Sequence, residues 1–238
     1  MIRPIPTPSD RLLVDASLWS ADLAALRSEV ERAAGCADML HLDASDGQFV
    51  SPLLFFPDLL AAVRPYTDLA LHVHLMAHRP AGLAEAFLDA GADLVTVHAE
   101  ADGAAEAIAR IRARGAAAGI AFALGTDPAE HRDLLRRADA IVMVGTPLGT
   151  AGTGMDPKAP RRIEAVKTLL AGRSTQPPVL ADGGIRRETV PMLADAGADG
   201  VVAGSLLFKA ADPHEAAEFL RSHRPAAPRR LALSRGER

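Results

Sequence analysis

Apolar residues along this chain fall into short runs separated by longer stretches with helical periodicity, and one phrase recurs where the two meet. The end of a helical stretch is followed by Ala-Asp and then by an apolar strand. It occurs as Cys36-Ala37-Asp38 before 39–42, as Gly91-Ala92-Asp93 before 94–97, as Arg137-Ala138-Asp139 before 140–144, and as Gly197-Ala198-Asp199 before 200–203. Successive copies lie about two βα units apart, at roughly 25 to 30 residues per unit. The phrase therefore marks alternate strands of a set of eight. Where glycine precedes it, the left-handed end of a helix is accommodated. The intervening strands are predicted over 12–16, 69–75, 117–124 and 178–181. Helices are predicted over 21–33, 56–63, 81–90, 104–114, 128–136, 160–170, 188–196 and 213–222. Asp127-Pro128 and Asp212-Pro213 serve as start signals.

Strands that alternate with helices imply a parallel sheet, and eight units favour closure. The predicted fold is α/β, a single (β/α)8 TIM barrel with a parallel eight-stranded core. The open doubly wound sheet is the alternative. It needs a glycine-rich turn after the first strand, and Ser17-Leu18-Trp19-Ser20 is not one. The chain has 238 residues, which suits one such barrel. We expect the catalytic domain over 1–224 and a flexible Pro/Arg-rich tail over 225–238.

Charge and cysteine content narrow the function. A net charge of -4 argues against a nucleic-acid partner. Cys36 is the only cysteine, so a disulfide framework is excluded, a reducing compartment fits, and a buried structural thiol is expected. The start MIRPIPTPSD has no apolar stretch like that of a signal peptide, and no run of about 18 apolar residues occurs. A soluble, cytoplasmic protein without a membrane partner is expected.

In a parallel barrel, chemistry collects at the C-terminal ends of the strands. Side chains two apart on a strand share a face, so His41 and Asp43 point inward together, as do His72, His74 and Met76, while Val73 and Leu75 face the helices. A buried histidine and carboxylate are costly unless paired or bound to a metal. A plain His–Asp hydrogen bond is the simpler reading of the first pair. Asp182 ends the seventh strand and is followed by Gly183-Gly184. Ala203-Gly204-Ser205 follows the eighth. Loops in those two positions commonly hold phosphate, so Gly183, Gly184, Gly204 and Ser205 form a candidate phosphate cup. Two histidines and two carboxylates could ligate one divalent ion, and mixed N and O ligands suit Zn, Mn, Fe or Co alike. Asp43 and Asp182 come from opposite sides of the barrel. That layout fits removal of a proton beside a carbonyl from one face and its return to the other, with the metal stabilising an enediolate.

At these residues the sequence resembles ribulose-phosphate 3-epimerase, from about Ala16 to Phe208. The resemblance is carried by 17–22 (SLWSAD), 41–50 (HLDASDGQFV), 73–76 (VHLM), 96–100 (TVHAE), 182–185 (DGGI) and 203–208 (AGSLLF), in that order and spacing. It implies that His41, Asp43, His74 and Asp182 hold the metal and that Asp43 and Asp182 are the acid/base pair. It further implies that Ser17 and Met76 contact substrate and that the glycines with Ser205 hold its phosphate. The implied reaction is a ketose-phosphate 3-epimerisation, with D-ribulose 5-phosphate and D-xylulose 5-phosphate as the default pair, in a homo-oligomer.

Three departures stand out. Ser45 replaces a methionine that helps floor the family's pocket, so a different substituent is expected there. His72 replaces an aspartate at the start of the third-strand motif, which changes the charge beneath the metal. The loop after the sixth strand, Gly145-Thr146-Pro147-Leu148-Gly149 and onward to Gly154, keeps glycine and proline but lacks the family's aromatic and glutamine. Gly145, Thr146, Pro147 and Gly149 are the candidate lid, with altered contacts. Three competing readings follow: an epimerase of another ketose phosphate, a lyase or aldol enzyme of the hexulose-phosphate synthase type, and a non-catalytic sugar-phosphate-binding protein. The histidine ligands count against the second, and retention of all four ligands counts against the third.

Overall fold

In a computed structural model, which describes residues 2–173 and 176–226, eight parallel strands close into a barrel in chain order. They are β1 Leu13–Ser17, β2 Met39–Ser45, β3 Ala70–Met76, β4 Leu94–His98, β5 Ala117–Phe122, β6 Ala140–Val144, β7 Val179–Asp182 and β8 Gly200–Ala203. The helices are α1 Leu26–Ala34, α2 Pro57–Val63, α3 Pro80–Asp89, α4 Ala104–Ala113, α5 Arg132–Arg137, α6 Ala159–Leu170, α7 Val190–Asp195, α8 Ser205–Phe208 and α9 Pro213–Arg221. The expected TIM barrel is present. Of the expected tail, residues 227–238 lie outside the described part, while Ala226 donates its N–H to the Ala194 carbonyl on α7.

Some boundaries differ from the sequence reading. The helix expected from 21 begins at Leu26. Asp22 caps a preceding 3-10 turn at Leu23–Ala25 by accepting from the Ala24 N–H. Asp127 does the same for a 3-10 turn at Pro128–His131 ahead of α5. Strand β2 runs three residues past the expected end. It stays paired with β3 as far as Ser45 and Met76, so His41 and Asp43 sit within a strand rather than at its tip. The helix α8 was not expected; four residues are too few to show a helical period.

The stability of the barrel comes mainly from outside it. A shell that includes Val14, Leu42, Val73, Leu75, Val97, Ile120 and Ile141 faces Val30, Leu60, Phe87, Ile108 and Val166 of the helices, all buried. Each such side chain contributes about 1.5–3 kcal/mol on leaving water. Inside the barrel the apolar packing is smaller, with Met39, Leu94, Val142, Leu180 and Val202 among its members. The rest of the interior is given to polar groups. Cys36 lies in the outer shell, buried and unpaired with any other sulfur.

The recurrent Ala-Asp phrase acquires a physical reason at the lower, N-terminal rim. Each aspartate clasps the preceding strand at one residue, donating its N–H to that residue's carbonyl and accepting that residue's N–H on its carboxylate. Asp38 clasps Val14, Asp93 clasps Leu71, Asp139 clasps Ala118 and Asp199 clasps Val179, with distances of 2.7–3.0 Å. Each carboxylate also has a cation: Arg11 and Arg221 at Asp38, Arg64 at Asp93, Arg112 at Asp139 and Lys167 at Asp199. The four clasps tie the odd strands to the even strands that follow them.

Candidate active site and metal centre

The upper interior of the barrel is assembled from alternate residues of β1, β2, β3 and β7. Register places Asp43 beside His74 and His41 beside His72. Asp182 reaches the same spot from β7, the third strand from β2 by the shorter way round. His41, Asp43 and His74 are buried and Asp182 is half-buried. One ligand atom from each of the four lies within 4.8 Å of those of the other three.

The spacing within this group is informative. His41 Nε2 is 3.3 Å from Asp43 Oδ1, and His74 Nδ1 is 3.4 Å from Asp43 Oδ1 and 3.3 Å from Asp182 Oδ2. A charge-assisted hydrogen bond between such groups is shorter, about 2.7–2.9 Å. Ligands that each lie about 2.0–2.2 Å from one ion, at tetrahedral to right angles, stand about 2.8–3.6 Å apart. In addition, His74 Nδ1 is buried without a hydrogen-bond partner among the described residues. An orphaned ring nitrogen aimed between two carboxylates fits a divalent ion.

Each ring is held from behind. His74 Nε2 is 2.9 Å from His98 Nε2, and His98 Nδ1 is 3.1 Å from Glu100 Oε2. Glu100 also accepts the Ala123 N–H. His41 Nδ1 is 3.0 Å from Asp15 Oδ2. Ser17 donates its hydroxyl to Asp43 Oδ2 at 2.8 Å, which fixes the rotation of that carboxylate. His98 thus contacts a candidate ligand. Asp15 was missed. Its signal was a lone charge at an inward position, two residues before Ser17, in an otherwise apolar strand.

Electrostatics follow from burial and these neighbours. Burial drives the Asp43 carboxyl upward, but His41 and His74 together more than reverse this and hold it far below the usual range. The same contest runs the other way at His41, where burial lowers and Asp43 and Asp15 raise, leaving the ring well above its ordinary value. His74 is also raised: burial opposes, and the neighbouring Asp182 and Asp43 carboxylates prevail. Burial lowers His72 and His98. Asp15 is held at about 2; burial opposes this, and His72 and His41 outweigh it. Glu100 is held at about 2 as well, with burial opposing and the His98 hydrogen bond leading the stabilising contacts. In the absence of an ion, protons on the histidines neutralise the carboxylates; a bound cation takes over that role.

Above the four residues opens a cavity lined by Ser17, Trp19, Met76, Thr146, Pro147, Gly149, Gly183, Gly184, Gly204 and Ser205 among others. Of the candidate substrate and lid residues, only Gly145 stands outside the wall. Its N–H donates to the Asp182 carbonyl and its carbonyl accepts from Asp156, so it anchors the base of the loop. Gly183 and Gly184 both adopt left-handed backbone, with φ of 86° and 69°. A side chain on Gly184 would meet the Met155 backbone at 2.5 Å, so the glycine lets the two loops interlock. The expectation for Ser45 needs correction. Its hydroxyl donates to the Pro52 carbonyl at 2.5 Å and it is not among the residues that line the cavity, so it holds the loop after β2 rather than flooring the pocket. His72 does lie beneath the candidate ligands, as expected. Arg186, not singled out in the sequence, lines the cavity and donates to the Gly152 carbonyl of the lid loop. No helix among the described residues is long and apolar enough to cross a membrane.

Comparison with known proteins agrees with this geometry. A family model described as the ribulose-phosphate 3 epimerase family matches residues 13–208. The chain is 35% identical over 222 residues to a ribulose-phosphate 3-epimerase of Mycobacterium tuberculosis (strain ATCC 25618 / H37Rv), covering 93% of this chain and 96% of that one. It is 38% identical over 194 residues to the enzyme of that name from Treponema pallidum, covering 81% and 89%. Among solved structures, a 3-hexulose-6-phosphate synthase superposes with a TM-score of 0.62 at 22% identity, covering 89% of this chain and 98% of that one. That likeness speaks to the fold alone.

Proposed function

The chain belongs to the ribulose-phosphate 3-epimerase family and so to the carbohydrate epimerases, and from that premise we propose that it inverts C3 of a phosphorylated ketose, with D-ribulose 5-phosphate and D-xylulose 5-phosphate as the default pair. The observation that carries this reading is the convergence of Asp43 and Asp182 on His74 Nδ1 from opposite walls, at 3.4 and 3.3 Å. A flat substrate lying across the mouth would have one carboxylate on each face.

One carboxylate removes the C3 proton and the other returns a proton to the opposite face. Ser17 holds Asp43 in the orientation this needs. His41, Asp43, His74 and Asp182 would hold a divalent ion, which when bound would supply positive charge beside the substrate carbonyl. Zn, Mn, Fe and Co all suit this donor set. Gly183, Gly184, Gly204 and Ser205 present backbone N–H groups to the substrate phosphate. Met76 bounds the apolar side of the cavity, and the loop that begins at Gly145 and includes Thr146, Pro147 and Gly149 covers it and excludes water. Arg186 and the loss of an aromatic from that loop favour a second reading of the specificity, a ketose phosphate of another chain length.

The test is proton exchange in deuterated water with metal-loaded protein and a panel of ketose phosphates, followed at C3 by NMR. Deuterium should enter C3 as the epimer forms, and both Asp43→Asn and Asp182→Asn should abolish it. Binding of these ligands with no exchange from any of them would replace the epimerase by a sugar-phosphate sensor.

A further inference from the structure

We propose that Asp15 is a positioning residue for the metal centre, fixing His41 as the Nδ1–H tautomer so that its bare Nε2 faces the ion. The inference rests on the metal centre proposed above and extends it to a residue of β1 that meets neither ion nor substrate.

Asp15 is fully buried in the barrel interior. Its Oδ2 lies 2.6 Å from His72 Nδ1 and 3.0 Å from His41 Nδ1. An ionised carboxylate accepts and does not donate, so both rings donate from Nδ1. On a neutral His41 this leaves Nε2 as a lone pair, and Nε2 is the atom 3.3 Å from Asp43 Oδ1. His72 is fixed in turn, because its Nε2 lies 2.7 Å from the Thr96 hydroxyl, which donates to it. Thr96 has room only because β5 carries Gly119 opposite; a Cβ there would collide with the threonine hydroxyl. The sequence thus sets aside a strand glycine to seat the end of this chain of contacts.

Glu100 shows the same logic in mirror form. It fixes His98, whose Nε2 accepts from His74 Nε2–H, which leaves His74 Nδ1 bare toward Asp43 and Asp182. One candidate ligand presents Nε2 and the other Nδ1, and each is backed by a carboxylate. The carboxylate that the family resemblance leads one to expect at position 72 is supplied here from position 15, two strands away. Metal-bound histidines commonly donate their other N–H to such a group.

Two other readings of Asp15 fit less well. Asp15, His41 and His72 are close enough to hold an ion themselves. The 2.6 Å contact, however, is a hydrogen bond and too short for two ligands of one metal, which stand about 2.8–3.6 Å apart. A purely structural knot is the other. Asp15 Oδ1 is buried without a partner among the described residues, and an apolar residue of similar size would stabilise a core as well or better.

Zinc affinity of the whole protein, measured by competition with a chromophoric chelator, tests the proposal. Asp15→Ala should weaken zinc binding by about 10- to 100-fold. Asp15→Asn keeps an acceptor without the charge and should fall in between; it carries the comparison if the alanine variant does not fold. Ile108→Ala, which weakens the barrel from its outer shell, should leave the affinity unchanged. In the 15N spectrum of the zinc-loaded wild type, one zinc-bound ring should coordinate through Nε2 and keep Nδ1 protonated. Zinc affinity unchanged in both Asp15 variants would reduce Asp15 to a structural residue. Failure of the wild type to bind zinc or any other divalent ion would instead overturn the metal centre itself.

Discussion

At the lower rim of the barrel, each aspartate of the Ala-Asp phrase has a backbone N–H and a cation to itself. At the upper end, Asp43 and Asp182 face one histidine nitrogen at hydrogen-bond-plus distances, with no lysine or arginine bonded to either among the described residues. The same side chain does opposite work in the two places. Below, the charge is satisfied inside the protein and joins strands. Above, two carboxylates and two rings gather around a nitrogen without a hydrogen-bond partner among the described residues, an arrangement that could hold a cation. A barrel can leave its upper end so because the clasps and the outer apolar shell, far from the chemistry, hold the strands in register.

The largest expected effect that separates the two regions is catalytic. Asp182→Asn should lower turnover by about 10²- to 10⁴-fold, the range for a lost general acid or base, while the melting temperature of the ion-free protein barely moves. A steady-state assay beside calorimetry checks both. At the lower rim the pattern should invert. Lys167 and Asp199 are 6% and 5% exposed in their side chains, so Asp199→Ala strands a buried cation. Breaking such a pair costs about 3–5 kcal/mol, or on the order of 10 °C in a domain of this size. Turnover per folded molecule should be unchanged, and a large fall in turnover would mean that the two ends are coupled.

Metal removal comes next in size. Saturation at a hundredfold excess over the dissociation constant stabilises by about 2.7 kcal/mol. The increment should depend on pH with a definite sign. In the ion-free protein the raised His41 and His74 contribute stability that is complete below their unfolded value, about 6.5, and is lost as pH rises through their folded values. Asp43, depressed, contributes stability above about 3.8 that is lost only as pH falls through its lower folded value. Ligation needs both rings neutral. The gain in melting temperature on adding metal should therefore grow from pH 6 to pH 8; a flat response would place the ion on other residues. The smallest effect is expected at Asp139→Ala. Its partner Arg112 is 49% exposed, so the ion pair contributes little, and losing the Ala118 acceptor costs about 1 kcal/mol. Urea titration of the two lower-rim variants side by side would rank them; a loss at Asp139 equal to that at Asp199 would show that the clasp, not the buried cation, carries the energy.

Much of this was legible in the residues. The Ala-Asp phrase located the even strands, because a charge at a strand's lower end and apolar residues above it leave a clear mark. The inward placement of His41, Asp43, His72, His74 and Met76 followed from strand alternation, and the glycines at the ends of β7 and β8 that line the cavity stood out in the sequence. Asp15, Glu100 and Arg186 were harder to assign, since each acquires its role from a neighbour on another strand or loop. Ser45 was misjudged for the same reason: whether its hydroxyl faces the cavity depends on the Pro52 carbonyl of a loop whose path no local pattern specifies.

Periodicity along one strand determines which face a side chain takes, because pleating is a property of the backbone itself. That was enough to define the barrel, its inward residues and the family resemblance. It does not determine which inward side chains meet. Closure of the sheet decided that, through the register that set Asp43 beside His74, Asp15 under His41 and His72, and Asp182 across the mouth. Distances of about 3 Å between strands remote in sequence arise only when eight strands are packed at once around a shared interior.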